Sequence, residues 1–228
     1  MDTISSALVA VADIQRSSSL SPADRRAVQA AISSLGTGLA GFRFTGGDEF
    51  EWRLPDLPAS FDHLLATRVH LAAGDDEVPP VLLRIGMGRG PVDVVSTQTP
   101  YAEDGPAYHR ARRAFETVRA VPARSRRSAA RPFDSASEAQ RSTAFDLGDT
   151  SSPIIAALLL HMDALMSDWS LVHWQAIDGI LRGDTLEAIG ERLRVSPQTV
   201  FKRLKTARFD LYLHGHAAIK AAVWGDAE

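Results

Sequence analysis

The chain contains no cysteine among its 228 residues. That absence excludes disulfide staples and thiolate metal sites together. A long apolar run is also missing. The longest, Ile154 to Leu160, is far below the roughly 20 residues that a membrane-spanning helix needs. The opening Met1-Asp2-Thr3 has no basic stretch, and Asp13 interrupts the first apolar run, so this segment reads as a strand and not as a signal peptide. Nor is there a strong charge of one sign. The 25 Lys+Arg against 28 Asp+Glu give a formal charge of −3. A protein coated in basic charge is excluded. DNA binding is not, because only the contacting face has to be basic. These absences predict a cytoplasmic protein with no membrane partner.

What is present is ordinary core material, with 45% apolar residues, enough for one large or two small domains. Charge is local. Acids gather at Asp48 to Glu51 and at Asp75-Asp76-Glu77, arginines from Arg110 to Arg131, and Lys/Arg again from Arg192 to Arg208. The first half alternates in pattern. Strand Ala7–Ile14 is followed by Ser21-Pro22, an N-cap and first-turn pair opening a helix over Ala23–Leu35. A hairpin follows over 41–54, then a helix over Phe61–Ala73. Pro79-Pro80 introduces a strand from Val81 through Ile85 and on to Val95. Gly105-Pro106 opens a third helix to about Val121. The order β-α-β-β-α-β-α predicts an α+β, ferredoxin-like domain with helices on one face of the sheet. It spans 1–150, with 122–150 poor in apolar residues and read as a linker or as short edge strands at Arg131-Pro-Phe133 and Thr143-Ala-Phe145. Residues 151–228 are read as a second, all-α domain. Its first helix, Ile154–Met166, is apolar and is expected to be wet at His161, Met162 and Asp163.

The most informative segment is Gly46-Gly47-Asp48-Glu49-Phe50. Phe42-Arg43-Phe44 and Phe50-Glu51-Trp52-Arg53-Leu54 alternate as half-buried strands do, and glycine supplies the turn between them. Asp13 ends the apolar first strand. A carboxylate ending one strand and others on a neighbouring hairpin suit a hard divalent cation, which takes oxygen ligands and keeps phosphates in its shell. Asp13, Asp48 and Glu49 are therefore candidate metal ligands for Mg (or Mn) with a nucleotide triphosphate. Arg43, Arg84 or Arg89 would neutralise the same acids if no cation does.

The other informative segment lies near the C-terminus. Ser170 caps a helix that ends at Gly183. Thr185 caps a second, over 186–193. A tight turn at Arg194-Val195 precedes Ser196 and Pro197, which open a third helix read from Gln198 through Arg208. Ile189, Leu193, Val195, Val200 and Leu204 fall at helix-turn-helix spacing. This resembles the helix-turn-helix of sigma-factor region four and of response-regulator output domains, with Arg194 where glycine is usual and Gly190 where alanine is usual. The third helix exposes Gln198, Thr199, Phe201, Lys202, Arg203, Lys205 and Arg208. The residues taken as DNA-contacting are Gln198, Thr199, Lys202, Arg203, Lys205 and Arg208, since Gln suits adenine edges and Lys and Arg suit guanine or phosphate.

With both ends read, the chain resembles the SatD family nearly end to end. The motifs are Asp13-Ile14, Gly47-Asp48-Glu49-Phe50, Arg84-Ile-Gly86-Met-Gly88, Asp104-Gly-Pro-Ala107 and the helix-turn-helix. The N-terminal half also resembles the palm of class III nucleotide cyclases and of GGDEF-type diguanylate cyclases. That resemblance implies metal ligation by Asp13 and Asp48 with Glu49 nearby, and nucleotide contacts at Gly46, Gly47 and Arg84. It also implies a catalytic pair equivalent to His109 and Arg113 on the helix after the glycine-rich strand. His109 stands where cyclases carry asparagine, and the arginine-aspartate product-inhibition motif of diguanylate cyclases is replaced by Gly38-Leu-Ala-Gly41. The function expected is a DNA-binding regulator, a homodimer on double-stranded DNA, whose palm senses a nucleotide or mediates dimerisation. The alternative is a metal-dependent nucleotide cyclase or nucleotidyltransferase.

Overall fold

The structure is a computed structural model that describes residues 2–37, 41–94, 103–120, 142–149 and 152–225. The half before 150 mixes strands and helices, and the described residues from 152 onward are helical until Gly225. In chain order the elements are β1 (Asp2–Ile14), α1 (Pro22–Gly36), β2 (Arg43–Gly46), β3 (Glu49–Pro55), α2 (Pro58–Ala73), β4 (Leu83–Val94), β5 (Glu103–Asp104), α3 (Pro106–Arg119), β6 (Thr143–Asp146), α4 (Ser152–Ser167), α5 (Leu171–Leu181), α6 (Leu186–Leu193), α7 (Pro197–Thr206) and α8 (Phe209–Trp224). The expected edge strand at Thr143-Ala-Phe145 is β6. Arg131-Pro-Phe133 lies outside the described residues.

The contacts divide the chain into two compact units, each drawn from separate stretches of sequence. The first comprises residues 1–15, 36–60 and 83–164, the second 16–35, 61–82 and 165–228.

The first unit is built on the sheet, with strand order β2-β3-β1-β4-β5 and β6 beside β4. The pairs β2–β3, β3–β1, β1–β4 and β4–β5 are antiparallel, and only β6 runs parallel to its neighbour. One face presents Leu8, Ala10, Ala12, Phe50, Trp52 and Leu54, all buried. The other face carries Ala7, Val9 and Val11, and α3 packs on it through Ala107, Ala111, Ala114 and Phe115. Phe42, Phe44, Phe50 and Trp52 form an aromatic cluster in which Phe50 and Trp52 meet edge to face at 4.8 Å, so the hairpin contributes more than its apolar area.

The glycines of β4 have a packing explanation. A Cβ on Gly86 would sit 2.1 Å from the Phe115 backbone nitrogen, and one on Gly88 2.2 Å from that of Ala111. The Arg-x-Gly-x-Gly pattern thus lets α3 lie directly on the strand.

Asp163 on α4, expected to be wet, is only 2% exposed. Its carboxylate accepts from the backbone N–H and hydroxyl of both Ser142 and Thr143 at 2.7–2.9 Å. It therefore ties α4 to the start of β6. Met162 is buried as well. The apolar periodicity of a helix says nothing about a polar group that is buried because its hydrogen bonds are made elsewhere.

The second unit gathers most of α1 and α2 with α5 to α8. In it, His216 of α8 stacks on Phe61 of α2 with ring centres 4.4 Å apart. Asp62 accepts from Lys220 at 2.6 Å and lies 2.7 Å from His216 Nε2. Asp178 of α5 lies 3.3 Å from His70 Nδ1 of α2 and accepts from Arg182. Helices α5, α6 and α7 close on Ala176, Ile189 and Val200, with Leu193, Val195 and Leu204 packed around them. No single helix among the described residues is long and apolar enough to cross a membrane.

Candidate functional site

Sheet register places two of the predicted acids, Asp13 and Glu49, in one row. Asp13 pairs with Glu49 on one side and with Arg84 on the other, and residues directly opposite in antiparallel strands share a face. Gly47, at φ +46°, turns the hairpin, and Ile14 N–H donates to the Asp48 carbonyl at 3.2 Å. Asp13 and Glu49 thus lie side by side at the hairpin end of the sheet, with the Asp48 backbone beside Ile14.

The carboxylates of Asp13 and Glu49 are taken up by guanidinium groups. Arg84 binds Asp13 bidentately, Nε to Oδ1 at 2.9 Å and a terminal nitrogen to Oδ2 at 2.6 Å. Such paired, charge-assisted bonds are strong and directional. Glu49 accepts from Arg112 at 2.6 Å, from Thr45 at 2.9 Å and from Arg119 at 3.4 Å. Glu51, next along the same face, pairs with Arg43. Arg84 is one of the arginines foreseen as partners of Asp13. No group of three or more His, Asp or Glu side chains among the described residues is arranged to hold a metal ion. As arranged, the donor set does not fit a divalent cation: an ion here has to displace Arg84 and Arg112 first.

Gly46 and Gly47 face open space, with nothing within 4 Å of an added Cβ. His109 and Arg113 share a face of α3, one turn apart, but the acids they meet are others. His109 Nε2 is 3.4 Å from Asp104, and Arg113 binds Asp146 at 2.6 Å. Arg113 lines a cavity of about 330 Å³ with Thr117, Phe145, Asp146 and Pro153.

The sequence reading did not anticipate the partners from α3, Arg112 and Arg119. Their signal was only the arginine density of that helix. It also missed the Glu103 cluster beside the hairpin. Burial works against the Glu103 charge, but hydrogen bonds from Arg53 and Tyr108 hold its carboxyl below the usual range. Burial, reinforced by that same bond, pushes the Tyr108 hydroxyl up.

The helical candidate is assembled differently. Thr185 Oγ1 accepts from Ala188 N–H and Ser196 Oγ from Thr199 N–H, both at 3.2 Å, as the capping pattern predicts. Between them Arg194 takes a left-handed conformation, φ 54°, the conformation glycine adopts most cheaply. Gly190 is tight: a Cβ there would lie 2.7 Å from the Val195 carbonyl oxygen. The third helix does not run through Arg208. It ends at Thr206, Arg208 is left-handed at φ 52°, and α8 starts at Phe209. Trp169 Nε1–H donates to the Ala207 carbonyl at 2.8 Å, which satisfies a carbonyl that the break leaves open. Gln198, Lys202, Lys205 and Arg208 are exposed, while Thr199 and Arg203 are half-buried. Lys205 pairs with Asp210 at 2.9 Å.

No family model matches the chain, and no curated protein does. The resemblance to the SatD family rests on the quoted motifs alone. Among solved structures, the chain is similar to the non-canonical dimeric guanylyl cyclase domain of the RhoGC fusion protein from the aquatic fungus Blastocladiella emersonii. Identity is 18% and the TM-score 0.40, over 51% of this chain and 76% of that one. It is also similar to the catalytic core of a rhodopsin-guanylyl cyclase with converted specificity in complex with ATPalphaS, at 21% identity and a TM-score of 0.39, over 51% and 74%.

Proposed function

We propose that the chain is a cytoplasmic, homodimeric DNA-binding regulator of the SatD type. In this reading α6 and α7 are a helix-turn-helix, and the sheet unit is a ferredoxin-like palm that senses a nucleotide or serves dimerisation. The observation that carries it is the outer face of α7. Val200 is buried at the centre of the three-helix core, Gln198, Lys202 and Lys205 face outward, and the helix Pro197–Thr206 contains no acid. A recognition helix needs this division between an inner apolar and an outer basic side. The strand order β2-β3-β1-β4, antiparallel throughout, supports the palm reading.

Salt titration tests the DNA contact. Lys202→Ala and Lys205→Ala should each weaken binding to duplex DNA and reduce the slope of log affinity against log salt by about one. Identical curves for wild type and both variants would sink the reading. Light scattering tests the dimer: a strict monomer at micromolar concentration, with and without DNA, overturns it.

A second reading, a metal-dependent nucleotide cyclase or nucleotidyltransferase, has one observation in its favour: Asp13 and Glu49 converge in one row at the hairpin turn. It requires Arg84 and Arg112 to release them. Calorimetry with magnesium and each of the four triphosphates decides it, with Asp13→Asn and Asp48→Asn as controls. Binding abolished in both variants with the fold intact supports the enzyme. No heat with any triphosphate leaves the palm structural.

A further inference from the structure

Phe201 lies at one edge of the basic face of α7 and is 51% exposed. At about 100° per residue, Gln198, Phe201, Lys202 and Lys205 share one arc that excludes Val200 and Leu204, with Phe201 at the edge nearer Leu204. The Lys205 ammonium stands 6.0 Å from the centre of the Phe201 ring, within range of a cation–π contact. A large ring left in water costs free energy that burial against a partner would recover. The charges around it select the partner. Lys202 and Lys205, the latter paired with Asp210, lie to one side of the ring, and a polyanion complements them where an apolar protein surface does not. In the major groove the apolar group that base edges present is the thymine C5-methyl, and phenylalanine is among the side chains that meet it. Gln198, one turn earlier, suits the N6 and N7 atoms of adenine.

Resting on the helix-turn-helix reading above, we propose that Phe201 is a specificity-determining residue that reads a thymine methyl group. The preferred ligand is then duplex DNA with thymine at a fixed position and an A·T pair within reach of Gln198.

The test uses the full chain and duplexes it selects from a random-sequence pool. An enriched duplex is resynthesised with deoxyuridine replacing each thymine in turn, which removes only the methyl group. Binding is read by anisotropy at fixed salt. Wild type should lose about fourfold in affinity at one or two positions, the worth of one methyl group withdrawn from water. Phe201→Ala should bind the thymine and uracil forms alike at those positions, with an unchanged salt slope. Phe201→Leu, which keeps an apolar tip, should retain part of the discrimination. Uracil tolerated everywhere by wild type, or discrimination surviving in Phe201→Ala, overturns the proposal. So does a fall in oligomeric mass on Phe201→Ala, which makes the ring a subunit contact. A pool that never enriches overturns the DNA reading and this inference with it. Enrichment without any thymine effect overturns this inference alone.

Discussion

Gly88 and Gly46 are both glycines of the sheet, yet a methyl group added to each meets opposite surroundings. At Gly88 it strikes the α3 backbone at 2.2 Å, while at Gly46 nothing lies within 4 Å. Gly88→Ala should therefore destabilise by about 3 kcal/mol, because backbone cannot give way as a flexible side chain can. Gly46→Ala should change stability by less than about 0.5 kcal/mol, so any loss of nucleotide binding in that variant reports on the ligand. Urea denaturation of the two variants checks both. Asp163 makes a similar point with polarity. An amide in place of its carboxylate keeps one acceptor oxygen for four donors, and Asp163→Asn should cost about 3 kcal/mol in the same assay. None of these roles was legible residue by residue. The sequence marks Gly86 and Gly88 as a motif but does not say whether a phosphate or a helix approaches them. Asp163 sits in an apolar helix with nothing nearby in sequence to identify its partners, which lie about twenty residues back. Asp13, Glu49 and Arg84, by contrast, were legible as neighbours, because strand alternation and turn chemistry fix register.

Helix ends were the most readable elements of all. Ser21, Ser170, Thr185 and Ser196 precede helices as their chemistry requires, since capping is a local interaction within four residues. The break after Thr206 was not readable, because it depends on Trp169 reaching Ala207 from 38 residues away. Two non-glycine residues, Arg194 and Arg208, carry the left-handed turns at either end of α7. Arg194→Gly should raise stability by about 0.5–1 kcal/mol, the left-handed strain relieved less the extra freedom of an unfolded glycine. A higher melting temperature with unchanged helical circular dichroism is the expected result. The pairing of α2 with α8 gives a pH dependence. Burial pushes the His216 pKa down against the pull of Asp62. Its Nδ1 is buried with no hydrogen-bond partner among the described residues, so a second N–H there would have no acceptor. The neutral ring donates from Nε2 to Asp62, with Lys220 beside the same carboxylate and the Phe61 and Tyr212 rings stacked near it. An unfolded histidine takes up a proton near pH 6.5, and the folded one resists until a lower pH. Stability is thus fully present above about 6.5 and is lost as pH falls from there towards the folded pKa. Melts between pH 8 and 5 should show this slope, and His216→Phe should flatten part of it. The remainder belongs to His63 and His173, which burial also pushes down.

At the scale of the whole molecule, composition and contact divide the chain differently. The change of character near residue 150 is real in sequence, but the second compact unit takes in 16–35 and 61–82 as well as 165–228. No local pattern announces that Asp62 meets His216 or that His70 meets Asp178. Those partners are 154 and 108 residues apart, and only the tertiary fold brings them together. A fragment of residues 151–228 expressed alone should therefore melt well below the intact chain, since it lacks the α2 side of both contacts and the Phe61 surface beneath His216. Adding residues 1–150 in trans should restore part of the loss. A fragment as stable as the whole would show that α2 contributes nothing to this unit. The wide separation also orders events in time. During synthesis a chain emerges from its N-terminus at about 5–20 residues per second, so α2 leaves the ribosome on the order of ten seconds before α8 can reach it. Through that interval Phe61 and Asp62 wait without the residues that will cover and neutralise them, an exposure that holdase chaperones are suited to bridge.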